Sequence, residues 1–453
     1  MAIETVEDIE DSYMKETELL IPNKNKDSSC TVFKMIKLNP GLTKTNFICC
    51  LIFYVIFIFS NALPGALQPL IILHSDYYNI PQSQAGKITS LVLVIQLVVK
   101  IATSIPYGHL TDKFGRKTML HFANLNFLVG SLIIPTQTEI FPGFVIAKSL
   151  TANSACAFAT IPLLADYVAD ESKGKASALV MMCFGIGALV ANLLTKFLLY
   201  AEVSLGKCYV ITGVFVFVAN LINSFGLKSN YQSHTKLETT TEDQATFLQQ
   251  MKEALQIFIG NGWLRILLVL QILGSSDFQV FFTFMTVFVK SLFPEGVDEA
   301  TQNIVVNNLQ TLIIFPMIFG NIGYGYLLDK KNTLIPMSVC ALAGGAVSFV
   351  LVASSSTPYS WTISVGAFLL GSTLPGLFVI SSYIGIKNYP PDKRGIMIGF
   401  SGLIGYIGFF IIATGGGILY DSWRREGPFI ICTGLLILAI ILVLIIYRGM
   451  KKE

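Results

Sequence analysis

Charge is scarce in this chain. Of 453 residues only 13% are Asp, Glu, Lys or Arg, about half the share of an ordinary soluble domain. That excludes a soluble fold for most of its length. Histidine occurs only at positions 74, 109, 121 and 234, too dispersed for a metal cluster. No Cys-x-x-Cys links any of the eight cysteines, and most of them lie in apolar segments, where a thiol packs as a small hydrophobe. No Gly-x-x-x-x-Gly-Lys-Ser/Thr loop is present to cradle a nucleotide, which argues against ATP-driven work. No nucleophile–base pair suggests an enzyme, and no cofactor is implied. No Asn-x-Ser/Thr acceptor occurs, and the first eighteen residues are too rich in Glu and Asp for a cleavable signal or a mitochondrial presequence. The net charge of +3 is small, and the bases flank apolar runs instead of clustering on one domain. A nucleic-acid partner is therefore not expected.

Apolar length is what the chain has in abundance. Segments near 46–72, 86–108, 118–136, 142–165, 176–200, 207–226, 265–290, 303–327, 334–353, 360–386, 396–419 and 428–447 each approach the ~20 residues that a helix needs to cross ~30 Å of hydrocarbon. Inside lipid only a helix of this length satisfies its own backbone. The expectation is an all-α membrane fold of twelve transmembrane helices in two six-helix pseudo-symmetric bundles. With the N-terminus inside, the inner flanks hold Lys113, Arg116, Lys117, Lys173, Lys175, Lys330, Lys331, Lys393 and Arg394, and the outer flanks only Lys87, Lys207, Lys290, Arg424 and Arg425. The positive-inside rule then places both termini in the cytoplasm.

Internal repetition supports two equivalent halves. Gly108 to Lys117 follows the second apolar segment, and Gly325-Tyr326-Leu327-Leu328-Asp329-Lys330-Lys331 follows the eighth, with Asp112 and Asp329 217 residues apart. Glu171-Ser172-Lys173-Gly174 and Asp392-Lys393-Arg394-Gly395 form a second pair, their glycines 221 residues apart. Paired repeats of this kind build transporters whose substrate site lies between them. The expected organisation is a disordered acidic tail over 1–43, a six-helix bundle over 44–227, a cytoplasmic linker over 228–262 and a second bundle over 263–448. In the tail, Glu16 to Ile21 has the form of an acidic dileucine sorting signal. Within the linker, Phe247, Met251, Leu255 and Phe258 recur at helical spacing, which predicts a helix lying either along the membrane surface or under the bundle.

Gly108-His109-Leu110-Thr111-Asp112-Lys113-Phe114-Gly115-Arg116-Lys117 resembles the loop between helices 2 and 3 of the major facilitator superfamily, Gly-x-Leu-x-Asp-x-x-Gly-Arg-Lys/Arg. The resemblance extends over 45–448. It implies a gate in which Asp112 faces the N-terminus of helix 11, where exposed N–H groups and the helix dipole favour a carboxylate, with Arg116 and Lys113 as charge partners. The second copy keeps Gly325 and Asp329 but lacks the Gly-Arg pair. The run Ala165 to Gly174 looks more like drug:proton exporters than sugar carriers, whose Pro-Glu-Ser-Pro-Arg signature is absent. Helix 5, however, lacks the Gly-Pro-x-x-Gly-Gly antiport motif. Gly399, Gly402, Gly405 and Gly408 wrap about half of helix 11, as expected for tight packing and for a sliding contact with helix 2.

Ionisable groups at membrane depth are functional candidates. Asp277 lies twelve residues beyond Arg265 and thirteen before Lys290, so at the midplane of helix 7, where proton or cation coupling is the expectation. Lys100, about 12 Å inside helix 2, is a partner for Asp277 or for an anionic substrate. Lys148 stands where the resembled family often carries an arginine associated with proton coupling; as a lysine followed by Ala152 in place of the family's glycine, it has the alternative of reaching only the outer interface. The resemblance further implies that helices 1, 4, 7 and 10 line a central cavity, which makes Asn61, Gln68, Asn153, Gln271, Ser275, Gln279 and Ser372 cavity candidates. The expected function is proton- or cation-coupled transport of a small organic solute by a monomer, in a plasma membrane or an endosomal or lysosomal one. A non-transporting sensor or a structural subunit of a membrane complex with the same fold are the alternatives.

Overall fold

The computed structural model describes residues 30–33, 35–74, 77–78, 80–81, 84–159, 161, 163–169, 172–228, 247–328, 333–390 and 394–451. The side chains of Ala85, Asp112, Ala165, Phe247, Leu248, Gln250, residues 274–283, Ala300, Leu374 and Pro375 lie outside that description. The first bundle contains α1 (Lys44–Leu73), α2 (Ala85–Phe114), α3 (Arg116–Ile133), α4 (Val145–Ala159), α5 (Lys173–Tyr200) and α6 (Leu205–Gly226). The second contains α7, in two pieces (Gly262–Leu270 and Ser276–Ser291), α8 (Glu299–Leu328), α9 (Leu334–Ala353), α10 (Trp361–Asn388), α11 (Arg394–Ser422) and α12 (Gly427–Met450).

Ten of these helices are individually long and apolar enough to cross a membrane. Of the other two, α4 follows a kinked turn over Ile140–Phe144, where Phe141 is extended (φ −114°, ψ 128°), and α7 carries a π turn at Gln271–Ser275. A π turn widens the helix locally and often marks a functional position. Packing repeats with a period of six helices: α1 packs on α5 as α7 packs on α11, α2 on α4 as α8 on α10, and α3 on α6 as α9 on α12. The same symmetry exchanges the two seams between bundles, α2 with α11 and α5 with α8. The α2–α3 loop, the end of α6 beside Cys49 and the end of α12 beside Gly262 share one face, called here the terminal face.

One segment differs from the sequence expectation, and a second takes one of the two placements it offered. The tail, expected to be disordered to residue 43, is folded from residue 30 on. β1 (Thr31–Val32) and β2 (Ile36–Lys37) pair antiparallel, and Leu38 bridges to Val168 between α4 and α5. The Ala169 N–H donates to the Lys37 carbonyl at 3.0 Å, and the Asn39 N–H donates to the Tyr167 carbonyl at 3.0 Å. Val32, Ile36, Leu38 and Leu42 are buried. The acidic character that suggested disorder is confined to residues before 30, and the apolar residues behind it suffice to dock a hairpin. The Thr239-bearing stretch 229–246 and residues 1–29 lie outside the described residues. The linker helix does form, over Phe247–Gly260. Phe258 is fully buried, with its ring 5.1 Å from Phe400 and 5.9 Å from Tyr389, so the helix packs under the second bundle, while Leu255 and Ile259 remain exposed. Asn261 then caps α7, its side chain accepting from the N–H groups of Trp263 and Leu264, and the chain turns by 104°.

Candidate functional site

Two cavities adjoin at the centre. The one nearer the terminal face has a volume of about 330 Å³ and is lined by Tyr54, Gln271, Gly385, Tyr389, Arg394 and Gly402 among others. The deeper one, about 340 Å³, is lined by Asn61, Gln68, Gln96, Lys100, Lys148 and Asn192, with apolar walls from α2, α5, α8 and α11. Each is at the small end of the roughly 300–1,000 Å³ usual for small-molecule sites. Phe57, Phe184, Phe378, Tyr406 and Phe409 line both cavities, so an aromatic layer separates them. Phe57 and Phe184 meet edge to face at 5.8 Å.

Pro64 and Pro69 stand inside α1, next to the residues that line the deeper cavity. The Pro64 carbonyl accepts from Lys148 Nζ at 3.1 Å and from the Tyr209 hydroxyl at 3.2 Å. Lys148 therefore turns inward instead of reaching the outer interface: it is 2% exposed, with its ammonium 5.4 Å from the Tyr209 ring centroid. Lys100 lines the same cavity, its ammonium 5.4 Å from the Tyr406 ring. Gln68 Oε1 accepts from Gln96 Nε2 at 2.9 Å, and Gln68 Nε2 has no partner.

The remaining cavity candidates divide. Asn61 and Gln68 line the deeper cavity and Gln271 the other. Asn153 and Ser372 line neither: Asn153 faces Tyr107 of α2, and Ser372 bonds back to the Phe368 carbonyl at 2.9 Å where α10 meets Gly320 of α8. In both cases the polar face of the helix is turned toward a neighbouring helix, a distinction that spacing along one helix does not carry. The side chains of Asp277, Ser275 and Gln279, and the whole of Asp329, lie outside the described residues.

At the terminal face, Gly115 ends α2 and begins α3 by itself, with φ +85°, a conformation that glycine adopts without a Cβ penalty. The turn brings the buried Arg116 back under α2, where Nη1 donates to the Thr111 carbonyl at 3.1 Å and Nε donates to Asp166 Oδ2 at 3.0 Å. Burial pushes the Asp166 carboxyl up, while the guanidinium of Arg116, with Arg394 behind it, pulls it back down. Asp166 sits on the short helix Leu163–Tyr167 and was not among the expected site residues, although it lies in the run Ala165 to Gly174 that resembles drug exporters. Lys113, expected as a charge partner for Asp112, is exposed, with its ammonium 5.6 Å from the Phe114 ring. The Asp112 side chain is outside the description. Beside this turn, a Cβ on Gly108 would lie 2.5 Å from the Gly395 carbonyl oxygen, and one on Gly399 2.7 Å from that of Ser104. Backbones thus touch along the α2–α11 seam. Gly408 abuts the Ile272 carbonyl in the α7 π turn, and Gly402 borders the cavity near the terminal face.

The profile of the Major Facilitator Superfamily matches residues 47–294 and 293–453. The glucose transporter GlcP of Staphylococcus epidermidis is 24% identical over 445 residues, covering 86% of this chain and 93% of that protein. An uncharacterized transporter of Buchnera aphidicola subsp. Schizaphis graminum is 30% identical over 101 residues, so that the match spans 22% of this chain and only 26% of that relative. The proton:xylose symporter XylE, solved with 6-bromo-6-deoxy-D-glucose bound, superposes with a TM-score of 0.66 at 11% identity, over 88% of this chain and 94% of its own; at that identity the likeness speaks for the fold. With both halves matched and the two bundles packed about a central cavity, this multi-pass membrane protein belongs to the Major Facilitator Superfamily.

Proposed function

We propose that the protein is a secondary active transporter that moves a small organic solute by alternating access. The observation that carries this reading is the pair of symmetry-related seams, α2–α11 and α5–α8, that close around a cavity lined by both bundles. Rocking the bundles about that cavity opens one side while the other side stays shut. The gate is assigned to Gly108, Asp112, Gly115 and Arg116, with Asp166 as the buried partner of Arg116 and Asp329 as the counterpart in the second half. Both termini are placed in the cytoplasm, in a plasma membrane or an endosomal or lysosomal one, and the working unit is the monomer. Coupling to protons or another cation is assigned to Asp277, at mid-depth in the second piece of α7.

Uptake of radiolabelled D-glucose, D-xylose and benzoate into proteoliposomes, with and without a pH gradient, tests this. A gradient-stimulated, saturable flux of at least one of them is expected, and Asp277→Asn is expected to remove the stimulation while leaving exchange of pre-loaded solute. Unchanged gradient dependence in that variant would take Asp277 out of the coupling role.

A further inference from the structure

We infer that the deeper cavity is a carboxylate site, so that the solute is a small organic anion with an apolar body. The inference rests on reading this cavity as the solute chamber and adds the charge of what enters it.

Two ammonium groups face the same space. Lys148 is 2% exposed, and one carbonyl and one aromatic face are its contacts. Lys100 has, among the described residues, the Tyr406 ring beside its ammonium. Among the described residues that line the cavity there is no Asp or Glu. A buried cation without a counter-ion is costly, and since the described lining residues supply none for these two, an anion that enters would compensate them. An independent observation points the same way. Gln68 is 2% exposed, lines the cavity and keeps one amide N–H donor without a partner. The ammonium groups and this amide are donors, set beside one vacant acceptor on the lining, Asn321 Oδ1, and a carboxylate supplies only acceptors. Charge-assisted hydrogen bonds of this kind are the strong ones.

The rest of the wall sets the body of the solute. Leu93, Leu97, Ile314, Met317, Phe184 and Phe409 form the apolar part of a lining that also carries polar side chains such as Asn61, Asn192 and Asn321. These six residues accept a hydrocarbon or an aryl group. A neutral sugar would bring no charge to either ammonium group.

Binding is read on the purified full-length protein in detergent, where transport plays no part, with two matched pairs, benzoate against benzamide and hexanoate against hexanamide, and with D-glucose and D-xylose. Benzoate or hexanoate is expected to raise the melting temperature saturably and its amide not to. Lys100→Met and Lys148→Met are each expected to weaken that binding by at least about tenfold, the loss of a charge-assisted contact. Lys148→Gln, which keeps a donor toward Pro64, separates loss of charge from loss of fold: it should melt like the wild type and still bind the acid weakly. The inference is overturned if a sugar stabilises the protein more than either acid, if an amide matches its acid, if chloride or inorganic phosphate at equal ionic strength gives the same shift, or if the two Met variants retain wild-type affinity. Flux distinguishes the two readings. Benzoate that binds but is never carried sinks the transporter and keeps the anion site, whereas a carried neutral sugar does the reverse.

Discussion

The two seams between the bundles are symmetry mates made of different material. Along α2–α11 the helices meet through glycine and serine: Gly108 against Gly395, Ser104 against Gly399 and, at the far end, Ser90 against Gly417. Few side-chain hydrogen bonds cross it. The clearest is at the far face, where the Lys87 N–H donates to Asp421 Oδ2 at 2.7 Å, a carboxylate on the first turn of α2. Along α5–α8 small residues are joined by amides. Asn192 Nδ2 donates to Gln310 Oε1 at 3.3 Å, Thr311 Oγ1 donates to Asn192 Oδ1 at 2.9 Å, and Asn321 Nδ2 donates to the Met181 carbonyl at 3.0 Å. Gln310 Nε2 carries the network on to Thr286 of α7 at 3.2 Å. A seam of touching backbones resists bulk and tolerates sliding, whereas a seam of paired amides is held by discrete bonds worth about 0.6 kcal/mol each on average in membrane proteins. The duplication thus fixed where the bundles meet and left open how each meeting is made.

The largest effect is expected at the terminal-face end of the small-residue seam. Arg116→Ala strands the buried Asp166 carboxylate, a loss of about 3–5 kcal/mol for a broken buried pair. Unfolding in SDS should show it, and adding Asp166→Asn should restore part of the stability. If the single and double variants unfold alike, the pair is not what holds α2 to the α4–α5 loop. Next, Gly399→Leu sets a side chain against the Ser104 carbonyl and should cost roughly 1–3 kcal/mol and most of the transport rate. Gly434→Leu, where a Cβ meets open space, should do neither, and equal behaviour of the two would remove close approach as the reason for glycine. On the other seam the coupling energy between Asn192→Ala and Gln310→Ala, read from a double-mutant cycle, should be about 0.6 kcal/mol and no more than about 1.7; a value near zero would make the two seams alike. The smallest change belongs to Asp421→Asn, about 0.3–1 kcal/mol for an exposed carboxylate on a helix N-terminus. It should be visible chiefly at low salt, as easier labelling of a cysteine placed at Ser90.

The features most open to reading from the sequence were those set by length and by covalent repetition. Twelve apolar segments gave the helices within a few residues, and the 217-residue offset between Asp112 and Asp329 gave the two halves. Direction within a helix was harder to read. Asn61 and Gln68 border the deeper cavity, whereas Asn153 and Ser372 face neighbouring helices, because the polar atoms of α4 and α10 also serve helix–helix contacts. Asp166 escaped notice because its partner, Arg116, is fifty residues away and meets it only after the turn at Gly115. The hairpin at Thr31–Lys37 escaped because its strands are two residues long and pair only with each other, and its docking on the α4–α5 loop is a long-range contact.

By itself the sequence determined that the chain spans a membrane in two related sets of six helices, since hydrocarbon thickness fixes helix length and a duplication survives as spacing. Only the tertiary structure decided which polar side chains share a cavity: packing rotates each helix to bury its own best face, and that rotation depends on neighbours far away in the chain. It placed Lys100 and Lys148 on the same cavity, and the inferred carboxylate site rests on that placement.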